Sequence, residues 1–386
     1  MSAKYQYVKI GGAYYGLRQS PIALAWFLTF RNRSLQLRSD FRKKKIPRII
    51  RTLVQHQLCL GKDRAILELP VYGNLCLRVH RGYRVFNYRR NSVVRMIDPD
   101  VDQALVAGEM EGVRRASQLD FAPRILQSSV EKRWYEEDLV NGRPAYWAPR
   151  SASPVFSQIF DRDIAPCLER MIVLEAPLVA NLGRYVSEIV RTIEDGRLES
   201  PGLDIERVEA VRRFAQSVGE RLHLGGSGRV DLVFSHGDFS LRNILRTRNG
   251  VMAIDWESVG YRNPLFDLYN YFFTESYYKR ATTSLVPEIA KAISSLQSRL
   301  MAKAPDLART LVPLAKRYRW LYYLERIQVL LERELSSDQL DVVLRSIRVF
   351  NRYEEALARG EMGRGQRRTN VEVRGEREEW LVTAQP

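Results

Sequence analysis

The sequence predicts an α+β protein of two lobes, a small β-rich N-terminal lobe and a larger, mainly helical C-terminal lobe. Three observations predict it. The chain has 386 residues, more than one ordinary domain holds. From about residue 62 to 97 it runs in short β-rich pieces, AILELPVYG, LCLRVHRG, YRVFNYRR and SVVRMI. From about residue 150 to 358 it is mainly helical in pattern, interrupted between about 229 and 263. The expected organisation is a basic extension over 1–60, the first lobe over 61–140, the helical lobe with its loops over 141–358, and a disordered tail over 359–386.

The extension opens with an apolar stretch, Pro21 to Phe30. It is too short to span a bilayer as a helix and lacks a cleavage-like site. No other stretch approaches the required length, so a soluble, cytoplasmic protein is expected. Residues 31 to 51 then carry nine Lys and Arg against a lone Asp40. An apolar segment followed by a basic run can lie on an anionic membrane surface at the inner face of a membrane. The same residues can equally form the solvated basic face of a helix, or stand near a bound anion.

The whole chain is basic, with 61 Lys+Arg against 45 Asp+Glu and a formal net charge of +16. That surplus favours anionic partners and disfavours a strongly cationic substrate. Nucleic acid is not an expected partner, because no RNP, zinc-finger or helix-turn-helix pattern is present. Cys59, Cys76 and Cys167 lack ligand spacing, so neither a disulfide framework nor a zinc site follows.

In the first lobe, Gly73-Asn74, Gly82 and Asn91 separate the β-rich pieces as turns separate antiparallel strands. Asp100 to Leu119 reads as a helix, APRILQS as a short connection, and KRWYEEDLV as a strand ending at Asn141-Gly142. In the second lobe, Leu203 to Leu222 places Ile205, Val208, Val211, Phe214, Ala215, Val218 and Leu222 at mostly three- and four-residue spacing, as in a helix. Arg229 to Phe234 is a short buried-strand candidate.

The segment that carries chemistry follows: FSHGDFSLRNILRTRNGVMAIDWE, residues 234 to 257. It holds His236-Gly237-Asp238, then Asn243, then Asp255 within Ile254-Asp255-Trp256-Glu257. Two strands around Arg248-Asn249-Gly250 suit a three-residue hairpin loop. With Thr247 paired to Val251, Asn243 stands opposite Asp255 on one face. An amide and a carboxylate so placed suit Mg²⁺, which takes one or two protein carboxylates plus phosphate oxygens and water. Asp238, just before the first strand, is near enough to accept a hydroxyl proton. These are the parts that phosphoryl transfer requires.

HGDxxxxN at His236, Gly237, Asp238 and Asn243, with the hydrophobic-Ile-Asp-Trp-Glu element at 252 to 257, resembles the catalytic and metal-binding loops of the aminoglycoside phosphotransferase/choline kinase-like family. That family shares the protein kinase-like fold. The resemblance implies ATP and Mg²⁺ as cofactors, Asp238 as the catalytic base, and Asn243 and Asp255 as metal ligands. It gives His236 a mainly architectural role, and Glu257 either a second-metal role or that of holding the loop. Asp267, in NPLFDLYNY, resembles the family's following Asp-Leu, which supports the catalytic loop.

Upstream, Gly82 to Ile97 resembles the family's second and third strands. Arg95 stands where related kinases have a Lys that contacts the nucleotide phosphates, so the resemblance implies Arg95 as the phosphate contact. Its partner would be Glu109, or Glu111 in its place. The exchange is a departure, because a planar guanidinium does not replace an ammonium like for like. A GxGxxG loop is absent, leaving Val71 to Asn74 and His80 to Gly82 as candidates for the turn over the phosphates. Residues 133 to 142 resemble the link whose backbone binds adenine. The resemblance covers roughly residues 65 to 300 and is most specific over 234 to 268.

The expected activity is thus ATP/Mg²⁺-dependent transfer of the γ-phosphate to a hydroxyl of a small molecule or glycan. Arg95 and the missing Gly-rich loop leave open a catalytically weak or inactive nucleotide-binding scaffold. The 21–51 segment and the net charge leave open a membrane-surface kinase of a lipid-linked or phosphorylated sugar.

Overall fold

The computed structural model describes residues 4–10, 13–17, 20, 54, 66–145, 159–195, 203–224, 228–279, 285–332 and 337–365. The basic segment at 21–51 and most of the expected tail, from 366 on, lie outside the described residues.

Along the chain come β1 (Tyr5–Ile10), β2 (Ala13–Gly16), β3 (Ile66–Leu69), β4 (Leu75–Val79), β5 (Gly82–Asn87) and β6 (Ser92–Ile97). Helix α1 (Gln103–Ala116) follows, then β7 (Ile125–Ser129), β8 (Trp134–Asp138) and β9 (Arg143–Pro144). A π-turn at Phe160–Ile164 leads into α2 (Ala165–Ile172), β10 (Leu178–Asn181), α3 (Leu182–Glu194), α4 (Ile205–Leu224) and β11 (Arg229–Ser235). The hairpin is β12 (Ile244–Thr247) and β13 (Gly250–Ala253), followed by a 3₁₀ turn at Trp256–Ser258 and β14 (Gly260–Arg262). The remainder is α5 (Phe266–Lys279), α6 (Leu285–Leu300), α7 (Pro305–Leu311), α8 (Ala315–Leu331) and α9 (Ser337–Gly365). The chain divides into two units, Met1–Ser153 with His236–Gly260, and Pro154–Ser235 with Tyr261–Pro386.

The first unit is built on an eight-stranded sheet of order β3-β1-β2-β4-β5-β6-β8-β7. All of its strand pairs are antiparallel. Residues 5–16, expected in the basic extension, supply two of its strands. Their aromatic and branched residues explain why: Tyr7, Val8 and Tyr15 are at most 1% exposed, which free chain could not achieve. Ile125–Ser129, expected as a connection, is an edge strand. Its three central residues are exposed and its two ends half-buried, so it carries no alternating apolar signal.

Helix α1 starts on Asp102, whose carboxylate accepts from the N–H groups of Ala104 at 2.7 Å and Leu105 at 3.4 Å, an N-cap that satisfies two otherwise orphaned donors. Val106, Met110, Val113 and Ala116 form its buried stripe.

The hairpin folds with a register different from the expected one. Thr247 pairs with Gly250 and Ile244 with Ala253, so the loop is two residues long. The one-residue slip sets Asn243 against Ile254, whose N–H donates to the Asn243 carbonyl at 2.8 Å. The expected Asn243–Asp255 pair across the ladder is not formed. A type of turn favoured by two-residue hairpins, with Gly closing the loop, wins over the longer bulged form.

This hairpin, expected within the helical lobe, falls with the first unit. The Ala253 N–H donates to the Phe121 carbonyl at 2.7 Å. Trp256, 2% exposed, lies against the rings of His236 at 4.3 Å and Phe121 at 6.1 Å.

The second unit is mainly helical, with a small sheet of order β10-β11-β14. Helix α4 matches the predicted helix, beginning and ending two residues later. Helix α8 is its central element, packed on α3, α4, α5 and α9, and Leu321, Tyr322, Tyr323, Leu324 and Ile327 along it are at most 1% exposed. Its buried Glu325 accepts from the Tyr185 hydroxyl at 2.7 Å and the Asn263 N–H at 2.9 Å. Helix α9 continues to Gly365, so residues 359–365, expected in the tail, are helical. Among the described residues no helix is long and apolar enough to cross a membrane.

Candidate active site

His236 is the architectural centre of the loop. It is fully buried, its Nε2 lies 3.0 Å from the Ile254 carbonyl, and its Nδ1 accepts from the Asp238 N–H at 3.2 Å. A donor at one nitrogen and an acceptor at the other define the tautomer with its proton on Nε2. The ring therefore ties the start of the loop to the end of β13. Gly237, with φ of 79°, makes the bend between them, where a side chain would be strained.

Asp238 and Asn243 are brought together. The Asn243 amide nitrogen donates to the Asp238 carbonyl at 2.9 Å and to its carboxylate Oδ2 at 3.2 Å. Asn243 is 5% exposed, and its orientation is set by these two bonds. With the nitrogen so committed, the amide oxygen is the atom left for a hard cation.

Asp255 sits at φ 74° and ψ 54°, a left-handed conformation that costs a non-glycine residue about 1 kcal/mol. Its side chain, 39% exposed, is held through Oδ1 by Arg84 Nη2 at 2.7 Å. The same Nη2 lies 2.8 Å from Glu257 Oε1, and Arg84 Nε donates to that oxygen at 3.1 Å.

Arg95 pairs with Glu109, Nε to Oε1 at 3.4 Å, the first of the two partners that the resemblance implies. The alternative, Glu111, turns instead to Arg114 and Arg115. Arg95 also meets Glu257 at 3.1 Å, and its two terminal nitrogens donate to the carbonyls of His80 at 2.7 Å and Met96 at 3.1 Å. Its side chain is 1% exposed. Glu257 therefore bridges two arginines and fastens the loop to the sheet. The candidate turn at His80 is a two-residue hairpin, with Val79 paired to Gly82.

The cluster has four carboxylates, Glu109, Glu137, Asp255 and Glu257, for two guanidiniums. Burial pushes Glu109 up to about 7, against the pull of Arg95 and with the repulsion of Glu257. Burial likewise raises Glu137 to about 7, although the Arg84 charge pulls it down. Burial works against the charge on Arg84, but Asp255, Glu257 and Glu137 outweigh it and raise its pKa.

Asp267 lies in the first turn of α5, buried, in the second unit. Arg84 and Glu137 were not singled out in the sequence. A signal for Arg84 does exist there: an antiparallel pairing of β5 with β6 sets it directly opposite Arg95, a like-charge pair that needs carboxylates around it. Among the described residues no group of three or more His, Cys, Asp and Glu side chains is arranged to hold a metal. A cavity of about 360 Å³ in the first unit has Leu119, Asp120, Arg124, Asp138 and Met252 among its lining residues. Of the segment that carries the chemistry only Met252 lines it, and His236, Asp238, Asn243, Asp255 and Glu257 do not.

The model of the phosphotransferase enzyme family matches residues 177–302, about a third of the chain, containing the whole loop, the hairpin and Asp267. The family resembled and the family matched are the same. A comparison with curated proteins gives no match.

Among solved structures, a choline kinase from Cryptosporidium parvum is similar at 14% identity and a TM-score of 0.49, covering 77% of this chain and 89% of that one. The choline kinase LicA from Streptococcus pneumoniae is similar at 14% identity and a TM-score of 0.46, covering 79% and 99%. An aminoglycoside phosphotransferase from Streptomyces rimosus, solved with ADP and streptomycin, is similar at 17% identity and a TM-score of 0.41, covering 72% and 98%.

Proposed function

We propose that this protein is an ATP- and Mg²⁺-dependent phosphotransferase that moves the γ-phosphate to a hydroxyl of a small molecule or glycan. The observation that carries the reading is the Asn243 amide on Asp238, at 2.9 and 3.2 Å. It fixes the carboxylate that accepts the acceptor's proton and turns the amide oxygen outward from the same contact. The family match over the loop supports it.

The donor set fits a hard divalent ion. Asn243 and Asp255 offer one amide oxygen and one carboxylate, the share that Mg²⁺ takes from a protein when phosphate and water supply the rest. When bound, the ion neutralises charge on the phosphate oxygens, and the nucleotide supplies the transferred group. Asp238 orients the acceptor hydroxyl and takes its proton. His236 keeps Asp238 in place through its backbone N–H, and Glu257 fastens the metal-side end of the loop.

The test is turnover of ATP against a library of hydroxylated acceptors. Asp238→Asn is expected to lower phosphorylated product by about 100-fold or more while ATP binding is retained. Equal product from wild type and variant with every acceptor would sink the assignment.

A second reading, nucleotide binding without transfer, is favoured by the two-residue turn at His80-Arg81 in place of a Gly-rich loop. It predicts thermal stabilisation by ATP with no phosphorylated product from any acceptor.

A further inference from the structure

Arg84 on β5 and Arg95 on β6 are direct partners in the antiparallel ladder. Two guanidiniums so close repel, and each is held by neighbouring carboxylates. Their situations differ in what else holds them. Arg95 is 1% exposed, and both of its terminal nitrogens are bonded to main-chain carbonyls. It is part of the wall, with no free fork to offer a ligand.

Arg84 is bonded to side chains that belong to the chemistry. Its Nη2 lies 2.7 Å from Asp255 and 2.8 Å from Glu257. Of these two, Glu257 has a second cation, Arg95 at 3.1 Å, whereas among the described residues the ion-pair partner of Asp255 is Arg84. The Asp255 end is also the open one, at 39% exposure against 16% for Glu257. Asp255 Oδ1 thus already has a cation, and it is the residue proposed to take a divalent one.

We infer that Arg84 is the resident counter-cation of Asp255, that it gives up this carboxylate to the divalent ion, and that its freed guanidinium then binds the nucleotide phosphates. The inference rests on the ATP/Mg²⁺ reading above and reassigns the phosphate contact from Arg95 to Arg84. Without a metal, the four carboxylates of the cluster depend on two arginines for their neutralisation. A divalent ion at Asp255 replaces one of those contacts and arrives with phosphate oxygens, which a planar guanidinium binds two at a time. Arg84 stays tethered by Glu257 throughout, so the exchange needs rotation of one side chain and no movement of the sheet.

Two binding measurements on the full chain test this without turnover: Mn²⁺ titration in the absence of nucleotide, and a fluorescent ATP analogue titrated at saturating Mg²⁺. Arg84→Met is expected to bind Mn²⁺ about tenfold more tightly, because nothing has to be displaced, and the nucleotide about tenfold more weakly. Arg84→Lys, which keeps charge but not the fork, is expected to change Mn²⁺ affinity less and still weaken the nucleotide. Glu111→Gln, on the exposed face of α1, is expected to leave both unchanged. If wild type binds both ligands and both Arg84 variants match it, or shift both affinities the same way, the inference falls and the kinase reading stands. If wild type binds neither, both fall.

Discussion

Glu137 shows how burial and charge compete at a single residue. It is 7% exposed, and burial lifts its carboxyl to about 7 from an ordinary 4.5 despite the Arg84 charge. A raised folded-state pKa means that the native protein binds this proton more tightly than the unfolded chain does. The associated stability is fully present below about pH 4.5 and is lost as pH rises through about 7. Glu137→Gln mimics the protonated form. The variant is expected to match wild type in urea melts at pH 4.5, and to exceed it by about 1–3 kcal/mol at pH 8. A loss at pH 8 would mean that the charged carboxylate is held by Arg84 and is stabilising. At this scale much of the site was legible in the sequence. Spacing and resemblance together singled out Asp238, Asn243 and Asp255 as candidates, of which Asp238 and Asn243 meet, and the Arg95–Glu109 ion pair expected from the resemblance is formed. Arg84 was not, because its partner Asp255 is 171 residues away in the chain and no local pattern joins them.

Among the elements, the β5–β6 hairpin depends on Gly82. Its φ is 152°, and a Cβ there would lie 1.9 Å from the Met96 carbonyl oxygen and 2.7 Å from an Arg95 nitrogen. Gly82→Ala must therefore push β5 away from the strand that carries Arg95. The expected loss is about 2 kcal/mol or more, read as a lower urea midpoint, and a variant as stable as wild type would show that the turn relaxes freely. The same hairpin was visible beforehand, since its two β-rich runs are punctuated by Gly82 and Asn91. The β12–β13 register was not. Strand periodicity fixes which residues alternate but not where the turn sits, and moving the loop by one residue reverses every cross-strand partner. The edge strand β7 escaped notice for a different reason, because two neighbouring exposed faces leave it without a hydrophobic pattern.

For the molecule as a whole, the first unit is discontinuous, with residues 236–260 returning to a sheet formed by the first 153. What returns is substantial: Trp256 at 2% exposure, and the carboxylates of Asp255 and Glu257 on Arg84 and Arg95. A fragment of residues 1–153 lacks all three. Uncompensated buried charge is strongly destabilising, so the fragment is expected to bind ANS and to melt without a cooperative transition, where the full chain melts sharply. A sharp melt of the fragment would refute this dependence. The division into a β-rich and a helical part could be seen in the texture of the sequence. The crossing of the boundary by one short segment could not, since it depends on contacts such as Ala253 with Phe121 that composition does not encode.

That returning segment also has a consequence for synthesis on the ribosome. The strand bearing Arg95 leaves the exit tunnel long before Asp255 is translated, an interval on the order of ten seconds at ordinary elongation rates. Until then the two cations of the nascent strands β5 and β6 have only Glu109 and Glu137 of the cluster's four carboxylates. Docking of that face must wait, and the half-made protein is a natural client for whatever chaperone greets basic, unfinished β-structure.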